Sequence, residues 1–371
     1  MPSVERLPLV IFTGGLADSE PERWVSLACR ANTVDLVERA LQVPTLHPII
    51  VVTPASDWSA EVARLPVEMA PDLPGEAFHF GRQLREVASR YRLPRLLYVG
   101  GGAGALLTAP ELAALARRAL ELERGVLANN LYSADLVALA PASTLYSVDL
   151  PASDNDLAWR LAATGLPADS LPATAATRLD LDTPNELAIA ALHPACGPNL
   201  RRLVAGLPLD LDRLRQVLAE LHSARGEVLL YGRISSATWS QIERLPCQTR
   251  VFSEERGMRA SGRLECGQVQ AWIGAFLDCA GPCGLFESLA RACTAAILDT
   301  RVLFAHRRLS PTAADRFYSD LLQPAEIVDP EVRALTEAAL AAPVPLLMGG
   351  QALVSGGLLA LAEMAPESAA A

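Results

Sequence analysis

"PRLLYVGGGAGALLTAPELAALARRALEL", residues 94–122, passes from a short apolar run through a glycine turn into apolar positions spaced for a helix. The first seven residues read as a buried strand, and 109–122 reads as an amphipathic helix. The same rhythm recurs on the N-terminal side. "LPLVIFT" (7–13) and "HPIIVVT" (47–53) have the composition of buried strands, and "TVDLVERALQ" (33–42) and "GRQLREVASRY" (81–91) that of helices. Strands and helices alternating in this way predict a doubly wound, mostly parallel α/β sheet, with ligands at the carboxyl ends of its strands.

After "HPACGPNL" (193–200) the alternation starts again. "GEVLLYG" (226–232), "CQTRVFSE" (247–254), "ILDTRVLFA" (297–305) and "VPLLM" (344–348) read as strands, with helices such as "ATWSQIERL" (237–245) between them. A length of 371 residues also exceeds what one core usually serves. The expectation is two α/β domains, 1–200 and 205–364, with a boundary near 195–208 and a frayed tail over 365–371. The uncharged run 338–362 is interrupted by Pro343, Pro345, Gly349, Gly350, Gly356 and Gly357. It therefore predicts a buried strand, a turn and a helix rather than a membrane span.

Composition excludes several chemistries. The chain has no lysine, and its 32 basic residues are all arginine. A Walker A loop, a pyridoxal-phosphate Schiff base and a lysine aldolase are thereby ruled out. A formal net charge of −10 opposes broad binding to nucleic acid or anionic membrane. Seven scattered cysteines without a signal peptide predict free thiols in a reducing cytoplasm. The C-x3-C spacing of Cys279 and Cys283 has no second pair and no nearby His to make a zinc site.

"TRLDLDTPNELAIAAL" (177–192) places Asp180 and Asp182 one residue apart, just before a Thr-Pro step that opens a helix. On an extended segment such a pair aims both carboxylates at one hard cation such as Mg²⁺. Capping of the helix accounts for Asp182 and leaves Asp180 unexplained. Four glycines at 100, 101, 102 and 104 exceed what a simple turn needs, so the loop invites close approach of a ligand. Asn129, Asn130, Ser133 and Asp135 form a polar cluster between apolar runs. It reads equally as an ordinary surface turn or as a recognition loop.

Three stretches carry a family likeness: "VIFTGG" (10–15), "LYVGGGAGALLTAPELAAL" (97–115) and "LDLDTPNEL" (179–187). Over roughly residues 8–192 they resemble the nucleotidyltransferase superfamily with the GT-A-like, Rossmann-like fold. The nearest analogues are the molybdenum-cofactor and phospholactate guanylyltransferases. The resemblance implies transfer of a nucleoside monophosphate from a nucleoside triphosphate to a small phosphorylated or hydroxyl acceptor, with Mg²⁺ as cofactor. It implies that Gly14, Gly15, Gly101 and Gly102 approach the nucleotide, with Asn130 and Asp135 beside it. Asp180, Asp182 and Asp135 would hold the metal, with Asp154 a further candidate carboxylate. In place of the family's lysine the first loop offers only Arg23 and Arg30, and the mid-sheet loop 101–104 carries no acid. These departures motivate an alternative, an inactive binding or assembly module.

No family likeness extends to the second half. There "EERGMRASGR" (254–263), "DTRVLFAHRR" (299–308) and "DRFYSD" (315–320) bring arginines and acids near predicted strand ends. Solvated surface ion pairs would explain them equally well. The functional expectation is an anion pocket of Arg256, Arg259, Arg301 and His306 with backbone from Gly349 and Gly350. A third possibility puts the chemistry here, with His306 as acid and base.

Overall fold

The computed structural model describes residues 5–14, 17–54, 62–71, 78–154, 156–259 and 261–364. The chain divides into two compact units. One comprises Met1–Gly15, Cys29–Asp180 and Gly197–Leu200; the other comprises Leu16–Ala28, Leu181–Cys196 and Arg201–Ala371. Thus 16–28 and 181–196, expected with the first domain, group with the second unit.

The first unit carries a seven-stranded sheet. Its strands are β1 (Leu7–Phe12), β2 (Leu46–Thr53), β3 (Glu68–Pro71), β4 (Leu96–Gly100), β5 (Gly125–Ala128), β6 (Leu136–Ala140) and β7 (Ala168–Ser170). Their spatial order is β3-β2-β1-β4-β6-β5-β7. Only β6 runs against its neighbours among the described strands. Every residue of β1 and β4 is buried, as strands covered on both faces require. Because β2 and β3 lie on one side of β1 and β4 on the other, the sheet reverses its winding between β1 and β4. That is where an open sheet of this kind leaves a crevice at its carboxyl edge. Beneath it, Phe12, Phe80 and Tyr98 pack edge to face or tilted, with centroids 4.8–5.6 Å apart.

The helix after the glycine turn, Ala109–Leu120, starts where the sequence says it should. The Thr108 hydroxyl accepts from the Glu111 N–H and the Glu111 carboxylate accepts from the Thr108 N–H, with Pro110 in the first turn. The expected helix at 33–42 is the end of a longer one, Glu20–Ala40.

The second unit has a four-stranded parallel sheet of β8 (Glu227–Gly232), β9 (Gln248–Ser253), β10 (Ala295–Asp299) and β11 (Leu346–Gly349). Its order is β11-β10-β8-β9, so the winding reverses between β8 and β10. The stretch expected as one strand, 297–305, divides at Asp299. The carboxylate of Asp299 accepts from the Arg301 N–H and caps a helix over Thr300–His306. Arg301 and His306 therefore stand on a helix. No helix among the described residues is long and apolar enough to cross a membrane.

Candidate functional site

At the carboxyl end of β4 the chain turns through Gly100–Gly104, and three separate segments bring acids to it. Asp135, just before β6, accepts the Gly100 N–H on its backbone carbonyl at 2.8 Å. Asn129 fixes this corner: its Oδ1 accepts from the Asp135 and Leu136 N–H groups, and its Nδ2 donates to the Thr177 carbonyl at 3.0 Å. Asp180 forms an antiparallel bridge with Ala103. Asp154 accepts the Tyr98 hydroxyl proton at 2.6 Å. Burial, then the charge of Asp154, then those of Asp135 and Asp180, push the Tyr98 phenol well above its ordinary range. All three carboxylates thus act on one buried hydroxyl, which stays protonated.

The glycine loop is built as much by packing as by openness. Asn32 Nδ2 donates to the carbonyls of Gly101 and Ala103 at 2.8 and 2.9 Å. Arg39 Nη1 does the same for Ala105 and Leu107, both at 3.0 Å. A Cβ at Gly101 would lie 2.9 Å from Thr13 Cβ and Oγ1, so packing alone demands glycine there. Gly14 has φ +151°, and a Cβ on it would come within 2.6 Å of Pro54. Two polar atoms at this edge are buried without a hydrogen-bond partner among the described residues, Thr13 Oγ1 and Asn32 Oδ1.

The remaining expected residues fall in different places. Gly15 lies outside the described residues. Gly102 is half-buried in the turn. Asn130 Oδ1 accepts from the Tyr132 N–H, the local bond of an Asx turn. Leu179 and Leu181 are buried while Asp180 is half-buried and Asp182 exposed, the alternation of an extended segment. Asp180 groups with the first unit and Asp182 with the second. Asp182 is not the cap of the following helix; that position is Thr183, whose side chain makes no cap bond.

No three His, Cys, Asp or Glu side chains among the described residues gather into a metal cage. Mg²⁺ does not require one, since it is commonly held by one or two carboxylates with water and substrate phosphates. Asp135 and Asp180, hard oxygen donors at one strand end, fit that smaller role.

In the second unit the expected pocket is partly redrawn. His306 does not join Arg301: its Nδ1 accepts the Ala271 N–H at 3.1 Å and its Nε2 meets Asp278 Oδ2 at 3.0 Å. Gly274 packs so tightly against the imidazole that a Cβ would come within 2.4 Å of it. His306 is a structural anchor. Arg301 is bound through both Nη atoms to the two oxygens of Asp320. Gly350 lies beside Arg301, where a Cβ would stand 3.8 Å from its Cγ, and Gly349 is packed against Leu353. Arg256 and Arg259 are exposed, and Arg259 with Arg301 repels the charge of Arg316. At the reversal between β8 and β10, Arg233 grips Asp299 with Nε at 2.6 Å and Nη2 at 3.0 Å.

No protein-family description matches the sequence, and no curated protein matches it. Among solved structures, the chain is similar to a cytidylyltransferase from Leptospira borgpetersenii serovar Hardjo-bovis. The two share 12% identity over 54% of this chain and 93% of that one, with a TM-score of 0.39. A 4-diphosphocytidyl-2C-methyl-D-erythritol synthase is 16% identical over 50% of this chain and 97% of its own, with a TM-score of 0.36. A CMP:2-keto-3-deoxy-manno-octonic acid synthetase, solved with CTP, is 13% identical over 45% and 89%, with a TM-score of 0.35.

Proposed function

We propose that the first unit binds a nucleoside triphosphate and transfers its nucleoside monophosphate to a small phosphorylated or hydroxyl acceptor. The observation that carries this reading is the meeting of three acid-bearing segments at the end of β4, where the sheet reverses: Asp154 on the Tyr98 hydroxyl, Asp135 on the Gly100 N–H through its backbone carbonyl, and Asp180 bridged to Ala103. A crevice there, edged by a glycine turn and by acids, suits a triphosphate that arrives with its own cation. Mg²⁺ held by Asp135 and Asp180 would supply neutralisation of the phosphate charge.

The chain's own groups do the positioning. Backbone N–H groups of the Gly101–Gly102 turn would face phosphate oxygens. Thr13 Oγ1 and Asn32 Oδ1, both buried and unpartnered among the described residues, would gain partners from the ligand. The Tyr98 hydroxyl holds the Asp154 carboxylate through a 2.6 Å hydrogen bond. An acceptor oxygen attacks the α-phosphorus, the bond to the bridging oxygen of the β-phosphate breaks, and pyrophosphate leaves. The exposed rings of Tyr132 and Trp159, with centroids 5.0 Å apart, offer an aromatic surface on the segments next to Asp135 and Asp154.

Pyrophosphate release from each of the four common nucleoside triphosphates, with Mg²⁺ and with a chelator, tests the reading over a panel of phosphorylated and hydroxyl acceptors. Release with one triphosphate, abolished by chelation, is the expected result. A second reading, binding without transfer, is favoured by the closure of Gly101 onto Thr13 and by the absence of an acid from the loop. It predicts Mg²⁺-dependent binding with no pyrophosphate.

A further inference from the structure

In the second unit the helix Trp272–Ala292 does not run unbroken. Gly281 has φ +69° and ψ 171°, outside the helical region, and Pro282 follows it. Proline lacks the N–H that a continuing helix needs and turns the residue before it away from helical backbone, while glycine takes the positive φ without strain. The segment therefore packs as two helical halves. Each offers one face to the same space: Ile273 and Phe276 from the first, and Leu285, Ser288, Leu289 and Ala292 from the second. Their spacings of three and four residues put them on one side of each half.

The opposing wall is the sheet. Leu229 and Tyr231 lie two apart on β8, and Arg250 and Phe252 stand beside them in register on β9. Residues two apart in a strand share a face, so these four meet the helical halves together. Between the two layers is a cavity of about 150 Å³. Leu229, Tyr231, Leu285 and Leu289 are buried at its base. β9 is the edge of the sheet, and Arg250, Phe252 and Phe276 are exposed, so the cavity opens on that side.

The base is apolar and the mouth carries the charge. Of the two wall residues with hydroxyls, Ser288 accepts on Oγ from Arg291 Nη2 at 3.2 Å, and the Tyr231 hydroxyl stands beside the Glu254 carboxylate. An apolar cavity of about this size stays dry and admits a benzene ring. Phe252 and Phe276, 40% and 41% exposed, add aromatic surface at the mouth, against which a planar ring packs offset or edge to face. Arg250 is the one charged residue of the lining. Among the described residues its side chain makes one hydrogen bond, from Nη1 to Glu227 Oε2 at 2.8 Å, in an exposed ion pair. Such a pair contributes little, and it leaves most of the guanidinium N–H groups for an incoming acid.

We propose that this cavity binds a small aromatic acid, its ring held between the broken helix and the sheet and its carboxylate on Arg250 at the mouth. The site stands independently of nucleotidyl transfer in the first unit.

The test titrates the whole chain with benzoate, with benzyl alcohol as the ring without the charge and with acetate as the charge without the ring, following heat of binding and melting temperature. Benzoate binds saturably and raises the melting temperature. Benzyl alcohol binds at least about tenfold more weakly, as loss of a charged hydrogen bond predicts, and acetate shows no saturable binding. Arg250→Met brings benzoate down to the affinity of benzyl alcohol. Ala292→Phe fills the cavity from the helix and weakens both aromatic probes at least about tenfold without lowering the melting temperature. No saturable binding of benzoate overturns the proposal, as does acetate binding as tightly as benzoate. Equal affinity for benzoate and benzyl alcohol removes the acid from the mouth, and wild-type benzoate affinity in either variant places the binding elsewhere; both overturn it. Should Ala292→Phe fail to fold, Arg250→Met decides alone.

Discussion

Tyr98 shows how one atom can organise a site. Its hydroxyl is buried, and its single short bond goes to Asp154. Tyr98→Phe deletes that bond and nothing else of size, so urea unfolding should report a loss of about 1.5–3 kcal/mol, the range for a hydrogen bond to a charged group. A variant as stable as wild type would mean that Asp154 finds an equal partner elsewhere. Glu186 gives a pH prediction with a definite sign. Burial, together with Asp182 and Asp320, raises its folded-state pKa well above the carboxylate range. A raised value contributes stability that is full below the unfolded pKa of about 4.3 and is lost as pH climbs through the folded value. Glu186→Gln has no such loss, so its melting temperature relative to wild type should climb from acid toward neutral pH. A difference flat with pH would contradict the assignment. Asp180 and Asp135 were visible in the sequence because acids between apolar runs stand out. Tyr98 and Glu186 were not, since a strand tyrosine and a glutamate in a first helical turn look ordinary until burial is known.

The element that most shapes the first site is the Gly100–Gly104 turn, and helix Glu20–Ala40 holds it there through Asn32. Asn32→Ala strips the carbonyls of Gly101 and Ala103 of their donor, and chemical denaturation should show a cost of about 1–3 kcal/mol. Unchanged stability would show that water replaces the amide. The ends of β8 and β10 depend in the same way on Arg233, whose partner Asp299 is completely buried. Arg233→Ala leaves that buried carboxylate without a charged partner, held only by backbone N–H groups, and should cost about 3–5 kcal/mol, read as a fall in the denaturation midpoint. Alternation of strand and helix was legible for β1, β2 and β4, whose apolar runs are long and bounded by turns. It was not for β10, where "ILDTRVLFA" is mostly apolar and only the cap made by Asp299 divides strand from helix. The glycine run was legible as unusual, yet sequence does not distinguish room for a ligand from room for Thr13.

Across the whole molecule, both sheets reverse their winding, and in both the carboxyl edge gathers the charged side chains. The first collects acids around Tyr98 and the second collects arginines around Asp299 and Asp320. For a chain of net charge −10, any attraction of an anion would have to be local. The use of arginine in place of lysine is therefore uninformative until each partner is known. Arg301 and Arg233 are tied to acids, while Arg316 and Arg259 form no ion pair among the described residues. If the first unit's acids hold a metal-bound nucleotide, isothermal titration of Mg²⁺ and nucleoside triphosphate into wild type and Asp180→Asn shows it most directly. Mg²⁺-dependent binding is expected in wild type and its loss in Asp180→Asn, with the circular dichroism spectrum and melting temperature retained. Equal affinity in the two proteins, or no binding of any triphosphate to wild type, would contradict it.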